Sequence, residues 1–497
     1  MIKINTSVLL AALICSTTAC SKQSASDENT PHQPNVLFIC VDDLRPELGC
    51  YGNDYIQSPN IDRLAETGTV FTNHFVSIPT CGASRYSILT GMYPRTKGQL
   101  SNEAIHHFIS GKPEGEVPET FIHHLKRNGY YTVGIGKISH YVDGLLYGYT
   151  DSVGTELELP HSWNEMLFDP GKWGTGWNAF FGYADGSNRQ SRNKQVKPYE
   201  RGEVDDDGYP DGLTAKLAVE KLKELKQKDQ PFFLGVGFFK PHLPFNAPAK
   251  YWDLYDEDEI ALTPSPDLPE NVNPASLHES GEFKSYQAGD EKPSLDQPVS
   301  DAYQRKLRHA YFAAVSYVDA QIGKVLDELE KSGLAENTIV VLWGDHGWHL
   351  GDHRVWGKHT IFERALKSAL IIKVPDRSSG KQIDRIVSSV DIYPTLMELC
   401  EVDMNFETDG TSMLALLEDT NTPSWKDAAW GYFNQGISLR TPRYRLTKYF
   451  REAQPVVELY DHYADPNENA NVASQHQEVV NELLPLLEQG NFGIYQD

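Results

Sequence analysis

Ten residues of this sequence stand where chemistry can be done. Asp42 and Asp43 are adjacent carboxylates closing the apolar run Asn35–Val41. Lys137 and His140 follow the run Tyr130–Ile135, His242 follows Pro231–Phe239, and Asp345 with His346 follows Thr338–Trp343. Cys81 and Arg85 share the stretch Cys81-Gly-Ala-Ser84-Arg85, and Lys358 lies in the loop beyond Asp345. Asp42, Asp43 and Asp345 offer oxygens suited to a hard divalent cation, Ca²⁺ or Mg²⁺. Arg85, Lys137 and Lys358 are fixed cations for a bound oxyanion. His140 and His242 are candidates for proton transfer. Cys81 is a nucleophile or the precursor of one. Taken together, the set describes hydrolysis of an ester of a tetrahedral oxyanion. A thiolate beside a hard metal is a poor attacker on such a centre, so an oxygen nucleophile made from Cys81 fits better.

The elements that must position these residues can be read from apolar periodicity. The four runs named above are continuous and apolar, as strands buried on both faces are. Val70–Val76 and Ala369–Val374 read as further strands. Helices are expected from Ser58, over Glu119–Arg127, Leu213–Lys226 and Tyr303–Lys331, and from Val390 to Leu399. His123 and His124, inside the second of these, read as surface or interface residues. After Pro79, Ser84, Ser87 and Thr90 are interleaved with apolar residues in a short helix. Cys81 then sits at its N-terminus, where free N–H groups and the dipole lower a thiol pKa and receive an anion. Arg85 lies about one turn further on.

Strands alternate with helices over about the first 400 residues. This predicts an α/β fold, a large mainly parallel sheet between helices, with its ligand crevice beyond the carboxyl ends of the strands. The suspicious polar residues lie at those ends. Residues 141–210 carry Trp163, Trp173 and Trp177 with little periodicity, and read either as a substrate-specificity region or as loop packing. Residues 262–300 read as a surface excursion. Beyond Asp409, short alternating pieces over 429–433, 437–441, 443–449 and 456–460 predict a small antiparallel sheet, followed by a helix over Gln477–Gln489.

A chain of 497 residues exceeds one simple core, and a large and a small domain are expected. The net charge of −24, from 45 basic and 69 acidic residues, argues against nucleic acid as a partner. It leaves room for a polyanionic substrate in a locally basic pocket. Residues 1–20 read as a signal peptide: Lys3, an apolar run Val8–Cys15 too short to span a bilayer, then Thr17-Thr-Ala-Cys20, similar to a bacterial lipoprotein box. Residues 21–33 read as a flexible linker. The expected product is exported: periplasmic, an outer-membrane lipoprotein anchored at Cys20, or secreted. Of six cysteines, four remain after that segment, Cys40, Cys50, Cys81 and Cys400, too few for a disulfide scaffold. A bridge of Cys40 to Cys50, or to Cys400, stays open.

The chain resembles the type I, formylglycine-dependent sulfatases. Cys81-Gly-Ala-Ser84-Arg85 matches their C-x-(P/A)-S-R signature, and Leu89-Thr-Gly91 its extension. Val41-Asp-Asp-Leu-Arg45, Gly136-Lys-x-x-His140, Lys240-Pro-His-x-Pro-Phe245, Asp345-His-Gly-Trp348 and the following Gly351-x-His353, Trp356 and Lys358 resemble the iduronate-2-sulfatase-like branch. Leu459-Tyr-Asp461 and Asp465-Pro466 resemble the family's C-terminal part. The likeness spans roughly residues 34–470. It implies an alkaline-phosphatase-like catalytic domain over 34–408 and a C-terminal α+β subdomain over 409–497. It also implies oxidation of Cys81 to formylglycine by a formylglycine-generating or anaerobic sulfatase-maturating enzyme. The aldehyde hydrate would attack sulfur, the alcohol would leave, and sulfate would be expelled as the aldehyde re-forms. Asp42, Asp43, Asp345, His346 and the modified Cys81 would hold Ca²⁺, with Mg²⁺ the less favoured ion. Arg85 and Lys137 would steady the modified residue and the sulfate. His140 would take the proton of the second step, and His242 with Lys358 would assist the leaving oxygen.

Ala83 replaces the commoner Pro, His346 stands where many sulfatases have Asn, and the Lys137–His140 spacing is one residue longer than usual. The expected substrate is a sulfated polysaccharide or oligosaccharide. The alternative is a phosphodiester or phosphonate monoester hydrolase of the same superfamily. A catalytically dead glycan-binding lipoprotein is disfavoured by the intact constellation.

Overall fold

The structure, a computed structural model, describes residues 33–377 and 380–495. The signal peptide expected over 1–20 and the linker over 21–33 lie outside the described residues, save Gln33. Eight strands form the main sheet: β1 Asn35–Val41, β2 Thr69–Phe75, β3 Tyr131–Gly136, β4 Glu165–Leu167, β5 Phe232–Phe238, β6 Thr338–Gly344, β7 Leu370–Lys373 and β8 Lys381–Ser388. Their order across the sheet is β8, β2, β7, β6, β1, β5, β3, β4. All pairings are parallel except those of β7, which runs against β6 and β2.

The register brings the strand ends level. Val41 lies opposite Phe238 on one side and Gly344 on the other, and Gly136 lies opposite Gly237. Whatever follows β1, β3, β5 and β6 therefore emerges along one edge. Gly237 allows the close approach there: a Cβ on it would come within 2.1 Å of the Lys137 carbonyl oxygen. No larger residue fits without displacing the turn that carries Lys137.

Successive side chains of a strand point to opposite faces, and β1 feeds two cores. Leu37, Ile39 and Val41 join one, with the helix Pro210–Leu225 and the long helix Asp301–Lys331. Val36, Phe38 and Cys40 join the other, with Tyr86, Ile88 and Leu89 of the helix Cys81–Thr90 and with the helices Phe121–Arg127 and Ile392–Leu399. Ser300 caps the long helix by accepting the Tyr303 N–H at 3.2 Å. A four-stranded antiparallel sheet, Ala429–Phe433, Gly436–Arg440, Tyr444–Tyr449 and Val457–Asp461, and the helix Gln477–Gln489 complete the chain. No helix among the described residues is long and apolar enough to cross a membrane.

The structure corrects several expectations. β8 went unread because a bulge between Ile383 and Ile386 breaks its alternation. Of the surface and interface positions open to His124, the structure shows a buried one: its ring nitrogens meet the Tyr393 hydroxyl and the Asp403 carbonyl, both at 3.1 Å. His123 is also buried, against Glu114 at 2.7 Å. The excursion over 262–300 is not simply surface, since Phe283 and Tyr286 are buried in the core. None of Cys40, Cys50, Cys81 and Cys400 is in a disulfide.

Candidate active site

The ten residues singled out above converge at the carboxyl edge of the sheet. The chain leaves β1 through two pinned peptides. The Asp345 N–H donates to the Val41 carbonyl at 3.2 Å, and the Asp43 N–H donates to Asp345 Oδ1 at 3.0 Å. Asp43 takes a left-handed backbone, φ 62°. Its carbonyl accepts the Tyr311 hydroxyl of the long helix at 2.7 Å. Such over-determination holds an uncommon backbone conformation in place.

Cys81 opens its helix as expected, but its thiol is not activated. It is 3% exposed. Burial, with Asp42 adding to it, pushes the thiol up to about 12, so the helix terminus does not prevail over desolvation. Its Sγ lies 3.3 Å from His346 Nε2. The next residue must be glycine, because a Cβ on Gly82 would come within 2.1 Å of the Asn102 carbonyl oxygen. The Asn102 side chain accepts the Gly82 N–H at 3.0 Å.

The Arg85 guanidinium is fully buried and held by protein partners. Nε and Nη2 lie 3.0 and 2.9 Å from Asp345 Oδ2, and Nη1 donates to the carbonyls of Lys137 and Ile138 at 2.5 and 3.0 Å. Asp42 Oδ1 lies 3.6 Å from Nη2. Lys137 Nζ donates to Asp42 Oδ2 at 2.5 Å, and Lys358 Nζ to Asp43 Oδ1 at 3.0 Å. Each carboxylate at the end of β1 thus has its own lysine.

These pairings set the charge states. Burial favours the neutral acid of Asp42, yet Lys137, with His242 and Arg85, holds it well below the usual carboxylate range. Burial pushes Asp43 well above that range, against Lys358 and His346. His140 is held well below an ordinary imidazole by burial and by Lys137. Its buried Nδ1 has no hydrogen-bond partner, and its ring lies 5.6 Å from that of Trp177. Burial, with Lys358 adding to it, brings His242 down to about 4.

One residue escaped sequence reasoning. Glu282 stands in the short helix Gly281–Lys284, within the stretch read as surface. Its Oε1 is 3.0 Å from His242 Nε2 and its Oε2 is 3.4 Å from Lys358 Nζ. Lys358, with His242 beside it, holds the carboxylate well below its usual range despite burial. Only its place opposite Lys358 and His242 marks it, and nothing local in the sequence does. Glu282→Gln is expected to lower kcat/KM by about 10- to 100-fold, the size seen when a residue that orients a ligand is lost. Steady-state kinetics beside an unchanged unfolding midpoint would check it.

Asp42, Asp43, Cys81 and His346 each offer one ligand atom, all within 4.8 Å of one another. The donor set can be tested against a metal. Asp42 Oδ1 is buried without a hydrogen-bond donor, and paired carboxylates suit a hard dication. The thiol is the misfit, and an oxygen in its place would remove it. Asp345 lies at the margin: Arg85 takes Oδ2, and Oδ1 is 3.7 Å from His346 Nε2.

A protein-family model described as Sulfatase matches residues 34–402. The chain belongs to the sulfatase family. A second model, N-sulphoglucosamine sulphohydrolase, C-terminal, matches residues 351–491. The sulfatase is 32% identical over 488 residues to a sulfatase of Formosa agariphila, covering 95% of this chain and 90% of that one. It is 32% identical over 405 residues to iduronate 2-sulfatase of Mus musculus, covering 73% of this chain and 68% of the other. Among solved structures, the phosphonate monoester hydrolase of Agrobacterium radiobacter superposes with a TM-score of 0.72 at 22% identity, over 92% of this chain and 96% of that one. That likeness shows the fold alone. The fold is alkaline-phosphatase-like, as expected, and the sulfatase is a sulfuric ester hydrolase.

Proposed function

We propose that this sulfatase removes sulfate from a sulfated carbohydrate, as the iduronate 2-sulfatase relative suggests, and that it does so through a formylglycine made from Cys81. The observation carrying this reading is the cluster of Asp42, Asp43, Cys81 and His346 facing Lys137 and Lys358. It pairs a cation-holding site with fixed positive charge where a sulfate ester would bind. Formylglycine would supply the oxygen nucleophile that the raised thiol cannot. Asp42, Asp43, Asp345 and His346 would hold the divalent cation, Ca²⁺ in preference to Mg²⁺, which would draw charge off the sulfate oxygens.

The side chains divide the remaining work. Lys137 and Lys358 bind sulfate oxygens, and Arg85 fixes Asp345 and the Lys137 turn. His242, oriented by Glu282 at 3.0 Å, and Lys358 assist the departure of the leaving oxygen. His140, held neutral, receives a proton at Nδ1 or Nε2. The Trp177 ring packs 5.6 Å from that of His140.

The test is sulfate release from a panel of sulfated oligosaccharides, with aryl sulfate and a phosphate diester for comparison, by protein from cells able to mature Cys81. A 2-sulfated uronic acid is the first substrate to try. Faster turnover of the diester than of every sulfate ester would favour the phosphodiesterase reading. Export, the anchor at Cys20 and a maturation enzyme as partner belong to the same proposal. A neutral His140 also sets a pH dependence. A base is lost as pH falls through its folded pKa, and this one lies below the ordinary 6.5. The acid limb of kcat/KM is therefore expected below pH 6.5, and should be absent from the residual rate of His140→Gln.

A further inference from the structure

A cavity of about 450 Å³ opens beside the loop that follows β1, and none of the ten residues of the active site lines it. Arg45, Arg308, Arg364 and Lys367 contribute to its wall. Three of these cations are already engaged. Arg45 pairs with Glu47 and, at 2.9 Å, with Asp352. Arg364 meets the same two carboxylates at 3.1 and 3.3 Å. Lys367 donates to Asn73 Oδ1 at 3.0 Å. Arg308 differs. It is 3% exposed, and its buried Nε and Nη1 have no hydrogen-bond acceptor among the described residues.

A buried donor normally finds an acceptor, and a buried charge a counter-charge. Glu47, Asp352 and Glu363 are the nearby anions: Glu47 and Asp352 are each shared between Arg45 and Arg364, and Glu363 is held by Arg440 and Arg445. Burial draws the Arg308 guanidinium below its ordinary pKa, and Glu47 offsets this only in part. What Nε and Nη1 of Arg308 lack is an acceptor, and an anion with two oxygens suits the N–H groups of a planar fork.

We propose that this cavity binds a tetrahedral oxyanion, sulfate or phosphate, at Arg308. The cavity exceeds a bare ion in size, so the oxyanion can be free or can be the ester group of a small organic molecule. Arg45 and Lys367 add positive field, and Arg308 supplies the directional bonds. The site is separate from the one that hydrolyses the substrate and needs no chemistry of its own.

The test uses the full chain with its active site intact. Crystals of the wild-type protein soaked in selenate should show anomalous density within hydrogen-bond reach of Arg308, in addition to any in the active site. Calorimetric titrations with inorganic sulfate, inorganic phosphate and glucose 6-sulfate then separate the sources. Tighter binding of the sugar sulfate identifies an ester ligand, and equal or tighter binding of the inorganic ions identifies free oxyanion. Arg308→Gln should weaken this site by about tenfold or more, with Arg308→Lys intermediate because it keeps the charge without the fork. Turnover of aryl sulfate should be unchanged in both. Selenate confined to the active site, or full binding stoichiometry retained in Arg308→Gln, would overturn the proposal. If Arg308→Gln does not fold, the wild-type soak and Arg308→Lys decide.

Discussion

Cys81→Ala is expected to lower kcat by about 10⁴-fold or more, in line with removal of other catalytic nucleophiles. The unfolding midpoint should stay close to that of the wild type. Cys81 is a small buried residue, and its recorded polar contact through Sγ is to His346 Nε2 at 3.3 Å. Truncation at such a site costs on the order of 1 kcal/mol. Loss of activity without loss of fold is the signature of the proposed chemistry. Cys81→Ser separates it further. A serine hydroxyl would rescue part of the rate if a simple oxygen nucleophile sufficed. If an aldehyde is required, serine made in the same host should be as inactive as alanine. Intact turnover in Cys81→Ala would end the formylglycine reading, and mass spectrometry of the wild-type peptide around Cys81 gives the complementary test.

Arg85→Met should do the opposite and damage activity and fold together. The guanidinium is fully buried and ties Asp345, Asp42 and the carbonyls of Lys137 and Ile138 into one knot. Methionine keeps much of the volume and removes the charge. Asp345 and Asp42 would then face each other without their shared partner, and breaking a buried ion pair in this way costs about 3–5 kcal/mol. Urea denaturation should show that loss as a lower midpoint at similar slope. Arg85→Lys keeps a charge but cannot span both carbonyls and the carboxylate, so intermediate stability is expected. A stable, inactive Arg85→Met would mean that the guanidinium serves the substrate and not the framework.

The two variants show which parts of the site can be read from sequence. Asp42, Asp43, Lys137, His140, His242 and Asp345 were legible because each interrupts an apolar run at its end. A buried strand leaves a local mark, and a polar residue where it stops is conspicuous. The direction in which a side chain turns is not local. That Asp345, 260 positions along the chain, holds Arg85 could not be read from the stretch around it. Glu282 looked like one more acid in a polar surface stretch, and its partners His242 and Lys358 lie far from it in sequence. The Cys81 thiol was misjudged for a related reason. The helix start is local, whereas the burial that outweighs it comes from Asp345, His346 and the closing of the sheet. The large strands and the small C-terminal sheet were read closely, because alternation and turn residues mark them. β8, with its bulge, was lost.

The burial of Cys81 has a consequence in time. In the folded chain the thiol is 3% exposed and lies behind residues 345 and 346, more than 260 positions later in synthesis. An enzyme that modified it would need an open chain. If Cys81 is converted as proposed, the interval for it would start when Cys81 emerges and close when β6 docks beside β1. A sulfatase that folded quickly would therefore remain a thiol protein, complete in shape but silent. Under the proposed chemistry, slowing the docking of β6 should raise the fraction converted, and the late arrival of the strand before Asp345 would then act as a clock for its own active site.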